Sequence, residues 1–397
     1  MVSPEVLHDN DKKQTDASSS IVSLCYKDLI TKSPVAIEAA QSAFCHKEGF
    51  GALILMGIPH WTECRKNLLE SGSALTFGDA RHLCEGEHRV APGWKGSPGN
   101  ETHSLQSGFY ANLKAESNKD ENTATIWGEN KWPDDTLKST ALKEHFTEAG
   151  NIMYELTLLV LDLAQEGLML EIQKIKRDNK VLQKNAIPNL RNMAEKSTFL
   201  PSRLVYYDAN YSREDVIEGG SKEFWLPWHV DFNLATALAP ASWIKEETAL
   251  LDGRIEFDHD AEKETGLLLR SGSGIVVPAA LEEDSVIIQL GALCHFSSGG
   301  LLRAGPHAVA KDKSRKGMGR LSYGIFVYGP MDAKMKPSAE LLHFLTNANN
   351  DASEKGMEES NKVLFTNDYG RLLEKSYTGE TVFDGFKKFE TYMNSSI

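Results

Sequence analysis

The sequence predicts an α+β chain: a double-stranded β-helix (jelly-roll) barrel that follows an N-terminal α/β region and carries flanking helices. Three observations predict it. A helix–strand–helix pattern opens the chain, with the strand in FGALILMGI, Phe50–Ile58. A long apolar stripe at helical spacing then runs through Leu142, Phe146, Ala149, Met153, Leu156, Val160 and Leu163. After about residue 198 short β-rich runs recur (RLVYYDA, FWLPWHVDF, GLLLR, GIVVPA, SVIIQLGAL, AGPHAVA, RLSYGIFVYG), punctuated by Gly, Pro, Asp or Ser.

Taken in order, residues 1–20 are Ser-, Asp- and Lys-rich with few large apolar side chains, and read as a disordered arm. Residues 21–197 form the N-terminal region. Ile21–Ile30 alternates as a strand. Ser33 and Pro34 read as N-cap and first helical position of a helix that runs to Gly49. A second helix is expected near Trp61–Gly72, then loops and short strands over 78–135, then the long helix. Residues 198–335 form the barrel, within which Ile244–Thr265 is more charged than its surroundings and reads as an insertion or lid. Residues 336–397 return to helical and loop patterns.

Composition narrows the function classes. The 397 residues carry a formal net charge of −13 and no long Lys/Arg run, which argues against a general nucleic-acid binder. The polar N-terminus lacks the apolar core of a secretory signal, and the apolar stretch Leu156–Leu163 is too short to span a bilayer. The five cysteines (Cys25, Cys45, Cys64, Cys84, Cys294) show no CxxC spacing and read as reduced thiols. The expectation is a cytoplasmic monomer with no membrane partner.

The chemistry concentrates in LPWHVDF. His229 and Asp231 lie two apart on an apparent strand, so both side chains are expected on one face. His307 in AGPHAVA supplies a third ligand from a different strand. Two imidazoles and a carboxylate leave about three positions open on a metal, which suits non-haem Fe(II). Zinc tolerates the same ligands but only polarises water or a carbonyl. HxD alone is a common accident, and a lone His on an apolar strand is more often a core residue. The reading gains weight from RLSYGIFVYG, where Arg320 and Ser322 share a face of a mostly apolar strand. A guanidinium inside a barrel needs an anion, and its fork fits a carboxylate through two parallel hydrogen bonds. The bland reading of Arg320 is a structural salt bridge to one of the chain's many acidic residues.

The order HxD, distal His, RxS resembles the plant-type 2-oxoglutarate/Fe(II) dioxygenases and their relative isopenicillin N synthase. The likeness covers most of residues 20–330 and includes SPVAIEAAQSAFCHKEGFGALILMGIP, NKWPDD and RLVYYDA. It implies His229, Asp231 and His307 as iron ligands and Arg320 and Ser322 as the grip on 2-oxoglutarate. Tyr207 would be a further co-substrate contact, although Val205 stands where the pattern usually has Asn. It implies Fe(II), with 2-oxoglutarate and O2 as co-substrates and ascorbate as reductant in vitro. An iron-bound oxidant would remove hydrogen from a small-molecule substrate, giving hydroxylation, desaturation or ring closure.

Two other classes compete. An isopenicillin N synthase-like oxidase would use Arg320 and Ser322 on the substrate's own carboxylate and need no 2-oxoglutarate. A non-enzymatic binding protein would leave the complete ligand set unused. For the substrate, Trp228, Phe232 and Trp243 flank the metal strand and are candidate pocket residues, with ordinary aromatic core as the alternative. The chain also resembles red-algal kainoid synthases, which close a ring on an N-prenylated glutamate. That likeness implies an acidic amino-acid derivative, with Arg203, Lys222 and Arg303 as candidate cations by position.

Overall fold

The stretch Ile21–Ile30 splits in two, into β1 (Val22–Cys25) and α1 (Tyr26–Thr31), which corrects the expectation of one strand. Lys32, with φ 47°, closes α1: its N–H donates to the Leu29 carbonyl and that of Ser33 to the Asp28 carbonyl. In α2 (Pro34–Phe44) the Ser33 hydroxyl accepts the Ala36 N–H at 3.3 Å and Pro34 takes the first position, as the sequence predicts. The helix stops at Phe44, short of Gly49. The chain continues through β2 (Ala52–Met56), α3 (Trp61–Phe77), β3 (Gly93–Lys95), β4 (Ser107–Asn112), α4 (Leu142–Ile175) and α5 (Leu190–Lys196). Then come β5 (Pro201–Tyr207), β6 (Phe224–His229), β7 (Ala235–Leu238), β8 (Ser242–Lys245), α6 (Glu246–Asp252) and β9 (Phe257–Asp258). The last elements are β10 (Leu267–Arg270), β11 (Val276–Pro278), β12 (Val286–Leu290), α7 (Ala292–Ser297), β13 (His307–Ala310), β14 (Met318–Val327) and α8 (Ala339–Ala348).

This computed structural model describes residues 20–78, 81–82, 92–96, 107–115, 127–133, 141–175, 182, 186–209, 224–258, 266–311, 315, 317–348, 381–382 and 384. The expected N-terminal arm, Cys84, Lys222 and most of the C-terminal tail lie outside the described residues. No described helix is long and apolar enough to cross a membrane.

Two sheets form the frame. The larger runs β1-β2-β12-β7-β14-β5-β4-β3, with β8 attached at β14 and β9 at β8, and the smaller runs β11-β10-β13-β6. All described pairings are antiparallel except β1 with β2. The sheets pack face to face through two apolar clusters. One joins Ile54 and Ile287 to Leu267 and Leu269; the other joins Val205, Tyr207 and Trp243 to Trp225 and Val309. The described residues form no closed barrel. The architecture is a mixed α/β one with large sheets.

The opposite face of the larger sheet is covered by helices. The predicted stripe of α4 is buried along its length, with Leu142, Phe146, Ala149, Met153, Val160 and Leu163 fully covered. Phe146 meets Phe109, Trp132 and Tyr323 edge-on at ring distances of 5.5, 5.5 and 4.8 Å, and the Tyr323 hydroxyl donates to the Phe146 carbonyl at 2.9 Å. Each aromatic pair adds about 0.5–1.5 kcal/mol beyond simple burial. Because side chains alternate along a strand, β14 sends Leu321, Tyr323 and Ile325 to this helical layer. It sends Arg320, Ser322 and Phe326 into the space between the sheets.

The part of Ile244–Thr265 that is described is not a free flap. It builds β8, α6 and β9 onto the sheet edge, and buried Glu246 accepts from the Tyr206 hydroxyl at 2.6 Å and the Ala209 N–H at 2.9 Å. A buried carboxylate with two donors anchors the segment. Residues 259–265 lie outside the described residues.

Candidate metal centre and co-substrate pocket

His229 ends β6 and His307 begins β13, and the two pair directly across the ladder. Their rings lie 4.1 Å apart on the face turned toward the larger sheet. Asp231 reaches them from the turn that precedes β7 rather than from strand alternation, which corrects the reason the sequence gives for its position. That turn is held from outside: Ala292, Leu293 and Gly291 donate their N–H groups to the carbonyls of Asp231, Asn233 and Leu234 at 2.7, 3.1 and 2.8 Å. A Cβ at Gly291 would overlap the Asn233 carbonyl oxygen, so glycine is required for this close approach.

The donor atoms of His229, Asp231 and His307 all lie within 4.8 Å of one another. Asp231 Oδ1 is 3.7 Å from His229 Nε2, and Oδ2 is 3.7 Å from His307 Nε2. Those separations are too long for hydrogen bonds, and the three donor groups converge as the ligands of a divalent cation would. His307 Nδ1 lies 3.0 Å from the Gly305 carbonyl, which places the proton on Nδ1 and leaves Nε2 free as a ligand. The Thr236 hydroxyl donates to Asp231 Oδ2 at 2.6 Å and accepts from Asn233 Nδ2 at 2.8 Å. Burial opposes ionisation of Asp231, but His307, His229, the Thr236 hydroxyl and Arg203 outweigh it and hold the carboxyl below its usual range. By its donor types and its fixed tautomer the site fits a divalent metal.

Thr236 and Asn233 escaped the sequence reading. The signal available was a hydroxyl residue at the start of the strand after HxD. Replacing Thr236 with valine keeps the shape and removes the donor, and is expected to weaken Fe(II) binding about 10- to 100-fold, as read by metal titration.

Arg320 is only 4% exposed and lies on the same interior face. It pairs with Tyr207 on β5 and with Trp243 on β8, and Ser322 pairs with Val205. The guanidinium carbon is 5.5 Å from the Tyr207 ring centre, and Tyr207 stacks on Trp225 at 5.5 Å. Burial pulls the Arg320 pKa down to about 10, which leaves the group cationic at neutral pH. The structure therefore gathers Arg320, Ser322, Tyr207 and Trp243 on the wall that faces the metal centre.

The remaining candidates separate. Arg203 lies on this wall, its guanidinium 4.3 Å from the Phe326 ring and 5.5 Å from that of Tyr110, with a buried Nε that has no hydrogen-bond partner among the described residues. Its charge acts on Asp231, Tyr207 and Tyr328. Phe232 belongs to the main hydrophobic core, against Tyr328 at 5.9 Å. Trp228 carries the Arg270 guanidinium at 4.3 Å. Arg270 follows Leu269, the ladder partner of His307, so Arg270 and Trp228 stand on the outer face. Arg303 donates its backbone N–H to the Phe44 carbonyl, its guanidinium lies against Gly272, and the charge that acts on it is Glu48 rather than Asp231. Trp228 and Arg303 are thus corrected as pocket residues.

No family model matches the chain, and no curated protein matches it. Solved structures do. A full-length Neurospora crassa protein, solved in complex with alpha-KG, superposes with a TM-score of 0.58 at 13% identity, covering 95% of this chain and 97% of that one. A 2OG-Fe(II) oxygenase family protein from Caulobacter crescentus gives a TM-score of 0.56 at 16% identity, covering 81% and 91%. The chain has the fold of 2-oxoglutarate/Fe(II) oxygenases. Arabidopsis thaliana AtDAO1, a dioxygenase for auxin oxidation solved with 2-oxoglutarate, shares it with a TM-score of 0.51 at 15% identity, covering 81% and 97%.

Proposed function

We propose that this chain is an Fe(II)/2-oxoglutarate-dependent oxygenase acting on a small molecule. The observation that carries the reading is the placement of the His229–Asp231–His307 set and the buried Arg320 on facing walls of one interior space. His229, Asp231 and His307 would hold the iron. Arg320, Ser322 and Tyr207 would hold the far carboxylate of 2-oxoglutarate, the guanidinium as a two-pronged donor and the hydroxyls beside it. When bound, iron and 2-oxoglutarate would with O2 supply the oxidant that removes hydrogen from a substrate C–H, with succinate and CO2 as co-products. The chain's own contribution is distance, orientation and exclusion of water from that space. Two facing sheets closing as a jelly roll would supply that enclosure. Neighbours with this fold were solved with alpha-KG or 2-oxoglutarate, which favours this reading over an oxidase that needs none. Succinate release in an aerobic screen with Fe(II), ascorbate and 2-oxoglutarate tests it. Product formation with no succinate would support the oxidase instead.

The finer reading is an acidic amino-acid-derived substrate, with cyclisation of an N-prenylated glutamate to a kainoid as its specific form. Arg203 supports it: a cation on the metal-facing wall, between two aromatic rings, with a buried Nε that is unpartnered among the described residues. A charge-assisted hydrogen bond contributes about 1.5–3 kcal/mol. Arg203→Gln is therefore expected to lower kcat/KM for dicarboxylic substrates about 10- to 100-fold and to leave the KM for 2-oxoglutarate nearly unchanged. Equal or better turnover of a neutral flavonoid or hormone would reject the acidic-substrate reading.

A further inference from the structure

Gln289 is the polar residue in the middle of the apolar strand β12, and it is 1% exposed. Among the described residues, neither its Nε2 nor its Oε1 has a hydrogen-bond partner. Leaving a buried polar group unmatched costs about 1–3 kcal/mol, so such a group is retained where something satisfies it. The direction of the side chain follows from the ladder. Gln289 pairs with Ala52 on one side and Thr236 on the other, and Thr236 pairs in turn with Phe326. Directly paired residues project to the same face, and the Thr236 hydroxyl reaches Asp231, so Gln289 projects into the same interior space.

The row Ala52–Gln289–Thr236–Phe326 therefore crosses the wall beneath the metal centre. At its Phe326 end lies the Arg203 guanidinium, 4.3 Å from the ring. Next to Gln289 the wall is apolar, with Ile54, Ile287 and Leu238 against Leu267 and Leu269 of the other sheet. Arg320 lies at the far end of β14 from Phe326, so Gln289 is separate from the grip assigned to 2-oxoglutarate. Arg203 offers only donors, whereas a primary amide offers a donor and an acceptor side by side.

We infer that Gln289 is a specificity-determining residue of the substrate pocket, and that it reads a head group carrying both a hydrogen-bond donor and an acceptor, as an amine-bearing acid does. The inference rests on the oxygenase reading above and deepens it. Nε2 would donate to a carboxylate oxygen and Oε1 would accept from the adjacent N–H. A carbon-only diacid satisfies Arg203 and leaves Oε1 unmatched.

The test compares N-alkyl L-glutamates with 2-alkylglutarates of equal size, which lack the nitrogen, in the wild type and in Gln289→Met. The wild type should favour the nitrogen-bearing series by about 10-fold or more in kcat/KM, and Gln289→Met should erase that preference. The visible band of the anaerobic Fe(II)–2-oxoglutarate complex should stay as in the wild type, as should substrate-free decarboxylation of 2-oxoglutarate. Gln289→Glu, which keeps acceptors and loses the amide N–H, should discriminate against both series through its charge. A preference that survives in Gln289→Met overturns the inference, and so does a wild type without a preference. If Gln289→Met and Gln289→Glu both lose the band, the residue is structural and the inference falls. A wild type that gives no such band shows instead that the oxygenase reading has failed.

Discussion

Replacing Asp231 with alanine is expected to abolish Fe(II)-dependent succinate release while the apoprotein melts within a few degrees of the wild type. Asp231 is the one anionic donor of the cluster, and both of its oxygens face an imidazole nitrogen at 3.7 Å. Without it two neutral imidazoles remain, a poor set for a hard divalent ion that must stay bound while its other positions exchange ligands. Stability is expected to change little because the turn is fixed by backbone hydrogen bonds from Gly291, Ala292 and Leu293, which the substitution leaves intact. Loss of the half-buried carboxylate also removes its desolvation cost, which offsets the lost Thr236 hydrogen bond. Calorimetry on the metal-free protein, paired with a succinate assay, checks both halves. Succinate release at wild-type rates in the variant would remove Asp231 from the ligand set.

Arg320→Met is expected to raise the KM for 2-oxoglutarate about 10²- to 10³-fold, with Fe(II) affinity unchanged. Methionine retains much of the buried bulk beside Tyr207 and Trp243 and removes the positive fork. Removing one partner of a buried ion pair costs about 3–5 kcal/mol, because the other charge is left without its match. The split between a large KM effect and an unchanged metal titration distinguishes a co-substrate contact from a residue that merely supports the fold. An unchanged KM would mean that Arg320 is matched within the protein and does not bind the co-substrate.

The parts of this architecture that the sequence states openly are those with a regular period or a chemically restricted residue type. The stripe from Leu142 to Leu163 is legible because only one face of α4 meets the sheet and helices, so apolar residues recur at helical spacing. Ser33–Pro34 is legible because few residues suit a helix start. The metal ligands are legible by type, but their geometry is not: Asp231 reaches the site through a turn pinned by distant Gly291–Leu293, a contact that no local pattern announces. Trp228 was open to correction from the sequence itself. It immediately precedes His229 in an extended strand, so alternation sends it to the other face. Arg303 was not, because its position against Gly272 depends on how separate loops meet. Gln289 was visible all along as one amide in SVIIQLGAL. Its meaning needed the pairing with Thr236, which is set by sheet register rather than by any nearby residue.

The most direct measurement is an anaerobic optical titration of the Fe(II)-loaded protein with 2-oxoglutarate. The expected result is a visible charge-transfer band that saturates at one equivalent per chain, disappears in His307→Ala and shifts to far higher 2-oxoglutarate concentration in Arg320→Met. Iron that binds without ever giving the band, or a band undiminished in His307→Ala, would contradict the assignment of this interior space to iron and its keto-acid.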